Sequence, residues 1–153
     1  MTQFFQFESD FVDSLRCIPM QVRLKLDTCG VKLKLHQWNQ FNERDRNQLV
    51  DSPCNTTAEI NQYRAELHQL VQQRTGETAS DLPIDPHPDW LETAAVPQSV
   101  QTQAQEVGLT IQPTQWKNLT PLQRFALIKL RRSNHEKNNF LPALKEFDLV
   151  AIS

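Results

Sequence analysis

Residues 18–50 of this chain match residues 96–128 without a gap at an offset of 78, and that self-similarity constrains the fold more than any other feature. Seven positions are identical: Pro19/Pro97, Val22/Val100, Gly30/Gly108, Gln37/Gln115, Trp38/Trp116, Arg46/Arg124 and Leu49/Leu127. Ile18/Val96, Val31/Leu109, Leu33/Ile111, Phe41/Leu119 and Val50/Ile128 are apolar in both copies. Past residue 50 the match continues with a one-residue shift, pairing Tyr63 with Phe140, Leu67 with Leu144 and Leu70 with Phe147. An aligned tryptophan, a rare residue, argues against chance.

The repeat resolves an ambiguity in its own first copy. "VRLKLDTCGVKLKL", residues 22–35, alternates apolar and charged side chains as a β-hairpin would. Its counterpart, beginning "VQTQAQEVG", is rich in Gln and Ala, follows Pro97 and ends in a glycine, which is helix grammar. A helix is therefore expected from Pro19 to Cys29, with Met20, Val22, Leu26 and Cys29 on its apolar side and Gly30 as a left-handed cap. A short extended piece should follow ("VKLKLHQ", "LTIQPTQ"), then Trp38 or Trp116, then a second helix started by Asn42 or Thr120. Pro121 suits the first position of the second copy, and Glu43 and Asp45 suit the dipole of the first. A third helix is expected from Thr57 to Gln73, with Ile60, Tyr63, Leu67, Leu70 and Val71 on one face, and its counterpart runs from about Asn138 to Phe147.

These readings predict an all-α chain, a single domain over residues 1–153. Two similar three-helix units, 17–73 and 96–149, pack around one core, and an acidic, Pro-rich connector, 74–95, joins them. Residues 75–97 carry Glu77, Asp81, Asp85, Asp89 and Glu92, no Lys or Arg, and prolines at 83, 86, 88 and 97. Proline at that density excludes a helix over 82–88. Trp90 and Leu91 are expected to anchor the end of the connector on a helix surface.

Composition excludes more than it identifies. With only three glycines there is no phosphate-cradling loop. A net charge of −2 exerts no global pull on nucleic acid or anionic lipid, so neither is an expected partner. No apolar run is long enough to cross a membrane, and "MTQFFQFESDF" lacks the basic start and apolar stretch of a signal peptide, so the expected location is cytoplasmic. Reduced thiols and an odd number of cysteines argue against a disulfide framework. Cys17, Cys29 and Cys54 form no CxxC pair, and the repeat aligns Cys17 with Ala95 and Cys29 with Val107, as expected of core fillers. A metal or redox role for the three is the alternative. His36, His68, His87 and His135 are scattered without metal-ligand spacing, and no nucleophile stands in a catalytic frame. No enzyme activity and no cofactor are expected.

Two features suggest a docking surface. Residues 117–137 hold Lys117, Arg124, Lys129, Arg131, Arg132 and Lys137 against Glu136 alone. This basic run is a solvated helix face, a docking surface for an acidic partner, or a surface covered by the acidic connector. At the N-terminus, Phe4, Phe5, Phe7 and Phe11 form an aromatic arm that either packs on the helical core or engages a partner.

"SLRCIPM", the Gly, Trp and Arg frame of "GVKLKLHQWNQFNERDRNQLVDSPC", and "QWKNLTPLQRFALIKLRRSNHEKNNFLPALKEF" resemble the nitrate reductase-associated protein family, small proteins encoded beside assimilatory nitrate reductase in cyanobacteria. The resemblance covers about Phe4 to Leu149 and is weakest in the connector. It implies a non-enzymatic accessory factor needed for assembly or activation of the ferredoxin-type enzyme, with nitrate reductase, apo or holo, as the partner. Residues expected to bind that partner are Arg16, Arg124, Lys129, Arg131, Arg132 and His135, with Phe4 and Phe7 of the arm. The rival expectation is a redox or iron-sulfur delivery protein acting through Cys17, Cys29 and Cys54.

Overall fold

The computed structural model describes residues 5–8, 18–130 and 140–149. Among these it is mostly α-helical, with one two-stranded antiparallel pair. Contacts divide the described residues into two compact units, one holding residues 18–85 and the other residues 5–8, 86–130 and 140–149.

The first unit begins with α1, Met20–Cys29, whose N-cap is Pro19 and whose C-cap is Gly30 at φ 77°, ψ 40°. Gly30 N–H closes on Leu26 O at 2.9 Å. Met20, Val22, Leu26 and Cys29 are buried, the face expected from the sequence, and no hairpin forms over residues 22–35. Next come β1, Val31–Lys32, then α2, Leu35–Gln40, α3, Glu43–Asp51, and α4, Thr57–Thr75. Capping is local and reciprocal: Asn42 Oδ1 accepts from Asp45 N–H at 2.8 Å, and Thr56 Oγ1 from Glu59 N–H at 3.1 Å. The core of this unit gathers Val22, Leu26, Trp38, Phe41, Leu49, Tyr63 and Leu67. The start of the connector returns as β2, Ser80–Asp81, pairing Val31 with Asp81 and Lys32 with Ser80.

The second unit contains α5, Gln98–Glu106, α6, Pro113–Asn118, α7, Pro121–Lys129, and α8, Phe140–Glu146. Thr120 caps α7, accepting from Gln123 N–H at 3.1 Å, with Pro121 in the first turn. Gly108 adopts φ 77°, as Gly30 does. Val100, Ile111, Trp116, Phe125, Leu127, Phe140 and Leu144 are buried at 2% exposure or less. α1 and α5 start 78 residues apart, and the bounds of α2 and α6 and of α3 and α7 differ by 78 at both ends.

One expectation needs correction. The extended piece after each glycine is shorter than expected, because Trp38 and Trp116 lie inside the short helices α2 and α6. The identical glutamines explain it. Gln37 Oε1 accepts from Lys34 N–H at 2.9 Å and Gln115 Oε1 from Gln112 N–H at 2.8 Å, so each caps the start of a six-residue helix too short to show periodicity.

Candidate functional site

A helix of six residues satisfies few of its own carbonyls, and its C-terminus needs outside donors. In both units the donor is the arginine eight positions after the tryptophan, on the following helix. Arg46 on α3 donates from Nε to Trp38 O (3.3 Å) and from Nη2 to Asn39 O (3.2 Å), and its guanidinium lies 5.8 Å from the Trp38 ring centroid. Arg124 on α7 donates to Leu119 O at 2.5 Å, and to Trp116 O and Lys117 O at 3.4 Å each. The repeated Trp and Arg thus form one structural device.

Arg124 does one thing more. Its Nε donates to Trp90 O at 2.6 Å, fixing the 3₁₀ turn Asp89–Leu91 of the connector on α7. The Trp90 ring meets Phe125 edge-on at 5.0 Å, and Trp116 Nε1–H donates to Glu92 O at 2.8 Å. The connector therefore lies across the helix, held by backbone carbonyls and an aromatic contact, while Asp89 and Glu92 stay exposed. Trp90 anchors it as expected; Leu91, 58% exposed, does not.

Two residues of the expected basic surface are buried. Arg124 is 5% exposed, and burial pulls its pKa below the ordinary arginine value. Lys129 is 8% exposed, its ammonium 5.2 Å from the Phe125 ring centroid. Neither presents its charge at the surface, because the repeat places the first at a helix end and packing places the second beside an aromatic ring. Lys117 is exposed. Arg16, Arg131, Arg132, His135 and Phe4, with Cys17, lie outside the described residues. Phe7 packs with Phe5 against Phe147, at ring centroid distances of 5.2, 5.0 and 6.0 Å, and its N–H donates to Glu146 Oε1 at 3.1 Å.

The two described cysteines are core residues, Cys29 at 1% exposure and Cys54 at 7%. Burial pushes the Cys29 thiol up to about 12 and also raises Cys54. Among the described residues no three His, Cys, Asp or Glu side chains cluster as a metal site would need. His36 shares an exposed 2.8 Å hydrogen bond with Glu77, to which Gln37 Nε2 also donates at 3.2 Å. His87 is exposed on the connector.

Sequence reasoning missed a third capping cation. Lys25 Nζ donates to Val50 O and Ser52 O, both at 2.6 Å, closing the end of α3, and Tyr63 OH donates to Leu49 O at 2.8 Å. Lys25 reads as one charge of an alternating pattern, and nothing local marks its target. Two clefts also flank α4. One of about 340 Å³ is lined by Asn42, Arg44, Gln48, Gln69 and Gln73, and one of about 330 Å³ by Pro53, Ala58, Glu59, Gln62 and Tyr63, with Glu66 lining both.

The fold and these sites define a small helical protein whose identical polar residues hold its own backbone in place. The chain belongs to the family of conserved nitrate reductase-associated proteins, whose sequence pattern matches residues 4–147. No curated protein and no solved structure matches it. No helix among the described residues is long and apolar enough to cross a membrane.

Proposed function

We propose that this protein is a non-enzymatic accessory factor for assembly or activation of assimilatory nitrate reductase, acting by binding that enzyme. The observation that carries the reading is membership, over nearly the whole chain, of a family named for association with nitrate reductase. What the structure contributes is the assignment of the polar residues that seemed free for other work: Arg46, Arg124 and Lys25 are committed to backbone carbonyls, and Cys29 and Cys54 to the core. Arg124 and Lys129 are 5% and 8% exposed, and this reading puts the contact on more exposed side chains. A factor of this kind acts by preferring one state of its client, holding the cofactor-free enzyme in an insertion-competent form through differential affinity.

A pull-down comparing apo and holo nitrate reductase tests this. Stronger capture of the apo enzyme is the expected result, and failure with both forms overturns the proposal. Anaerobic purification with metal analysis and a visible spectrum addresses the delivery alternative. A stoichiometric cluster on the cysteines would replace the binding reading.

A further inference from the structure

The two units leave one equivalent edge in different states. In the first, the end of α1 and the start of β1 are covered, with Cys29, Gly30 and Val31 buried. An extended segment of the same chain lies on that edge. β2 pairs with β1, Leu82 N–H donates to Gly30 O at 2.8 Å, and Ile84 closes over Gly30 so tightly that an added Cβ would lie 2.7 Å from its Cγ1. Arg64 pins the arrangement, donating to Cys29 O at 2.9 Å and to Asp81 Oδ1 at 2.6 Å.

At the offset of 78 the same edge of the second unit is Val107, Gly108, Leu109 and Thr110. Val107 is 41% exposed where Cys29 is 1%, Gly108 and Thr110 are exposed, and an added Cβ on Gly108 would meet nothing within 4 Å. Among the described residues no strand pairs with this edge, Val107 O and Gly108 O accept no hydrogen bond, and Thr110 N–H donates none. Its backbone is nevertheless fixed. Gly108 repeats the φ of Gly30, and Gln101 brackets Ile111 with two 2.8 Å bonds, donating from Nε2 to Ile111 O and accepting at Oε1 from Ile111 N–H. A preformed edge facing solvent, with an apolar side chain beside it, is a template for strand addition.

We propose that residues 107–110 accept an extended segment of the partner protein as an added antiparallel strand. The inference rests on the binding reading above and names the contact. The first unit specifies the occupant. Its backbone bonds along Gly108 to Thr110 as residues 80–82 do along 30–32, and the residue two positions past the one opposite Gly108 is aliphatic, as Ile84 is past Leu82, covering Gly108 and Val107. Charge distinguishes the two edges. Residues 107–116 carry none, and the repeat puts Leu141 in place of Arg64, so the occupant has a small or apolar side chain where the first unit has Asp81.

Two measurements on the full chain test it. In the first, a capped peptide of residues 79–84 carrying Asp81→Ala is titrated into the isolated protein, and amide resonances of residues 107–111 are followed. Saturable shifts that vanish in Thr110→Pro, which lacks the N–H, and persist in Thr110→Val are expected. No saturable shift, equal shifts in Thr110→Pro, or cross-strand contacts from Thr110 to another segment of this chain before peptide is added, overturns the site. In the second, Thr110→Pro and Val107→Ser should each bind the reductase roughly tenfold more weakly than wild type, with Thr110→Val unchanged. Val107→Ser alters only an exposed side chain, so it keeps the comparison readable if the proline disturbs the fold. Wild-type binding by both variants overturns the contact. If the wild type binds neither form of the reductase, the accessory reading falls, and the peptide titration still decides the edge.

Discussion

Substituting Arg124 separates a docking charge from a structural one. In Arg124→Ala the two shortest bonds, to Leu119 O and Trp90 O, are lost, together with the weaker pair to Trp116 O and Lys117 O. A hydrogen bond to a charged group contributes roughly 1.5–3 kcal/mol, so the two short ones set a gross loss of about 3–6 kcal/mol. Burial of the guanidinium opposes folding, as its lowered pKa shows, and relief of that desolvation offsets part of the loss. The net expectation is about 3 kcal/mol, or about 6–12 °C in melting temperature for a chain of this size. Arg46→Ala is the internal control. It loses two bonds of 3.3 and 3.2 Å from a half-buried side chain and should cost about 1 kcal/mol. Arg124→Lys keeps the charge but not the fork, and should fall between Arg124→Ala and wild type. Urea denaturation followed by tryptophan fluorescence is a suitable assay, since Trp90 and Trp116 both touch this arrangement. An unchanged midpoint in Arg124→Ala, or Arg124→Lys behaving as wild type, would refute the reasoning and return Arg124 to the surface role.

Gly30→Ala should cost about 3 kcal/mol or more, because φ is +77° and an added Cβ would lie 2.7 Å from Ile84 Cγ1 and 2.9 Å from Leu82 O. Gly108→Ala, at the same φ but with nothing within 4 Å, should cost about 1 kcal/mol, and equal denaturation midpoints for the two would contradict the packing argument. Cys29 and Cys54 should resist iodoacetamide at pH 8 in the folded protein and react after unfolding, which peptide mapping by mass spectrometry resolves; rapid native labelling of Cys29 would contradict its burial. For Asp45, burial raises the carboxyl pKa, but the two-pronged contact with Arg74 (2.8 and 3.2 Å) and the Asn42 N–H outweigh it, leaving the pKa below its ordinary value. A depressed folded-state pKa stabilises above the unfolded value of about 3.9 and is lost as pH falls through the folded value. The stability gap between wild type and Asp45→Asn should therefore narrow as pH falls below about 4, and a constant gap would exclude the Arg74 pairing.

What the sequence determined by itself is local. Both limits of α1 follow from Pro19 and Gly30, and the starts of α3 and α7 from Asn42 with Asp45 and from Thr120 with Pro121, because capping partners lie within four residues and the chemistry is complete before any tertiary contact forms. The buried face of α1 was legible for the same reason, since a helix repeats every 3.6 residues whatever it packs against. Identity across the 78-residue offset marked Gln37, Trp38 and Arg46 with their partners as positions that matter, without saying for what. Tertiary structure decided the rest. Arg124 and Lys25 read as surface charges in one dimension, yet each ends on carbonyls far along the chain: Trp90, 34 residues away, and Val50 and Ser52, 25 and 27 away. Only the fold brings those acceptors within reach. Glu66 is the converse case, an ordinary helix carboxylate in sequence whose Oε1 accepts from Gln62 while packing encloses Oε2 without a donor. A side chain's type fixes which bonds it can make, but whether a long cation turns inward or outward depends on unmet acceptors that exist only once helices have ended and packed.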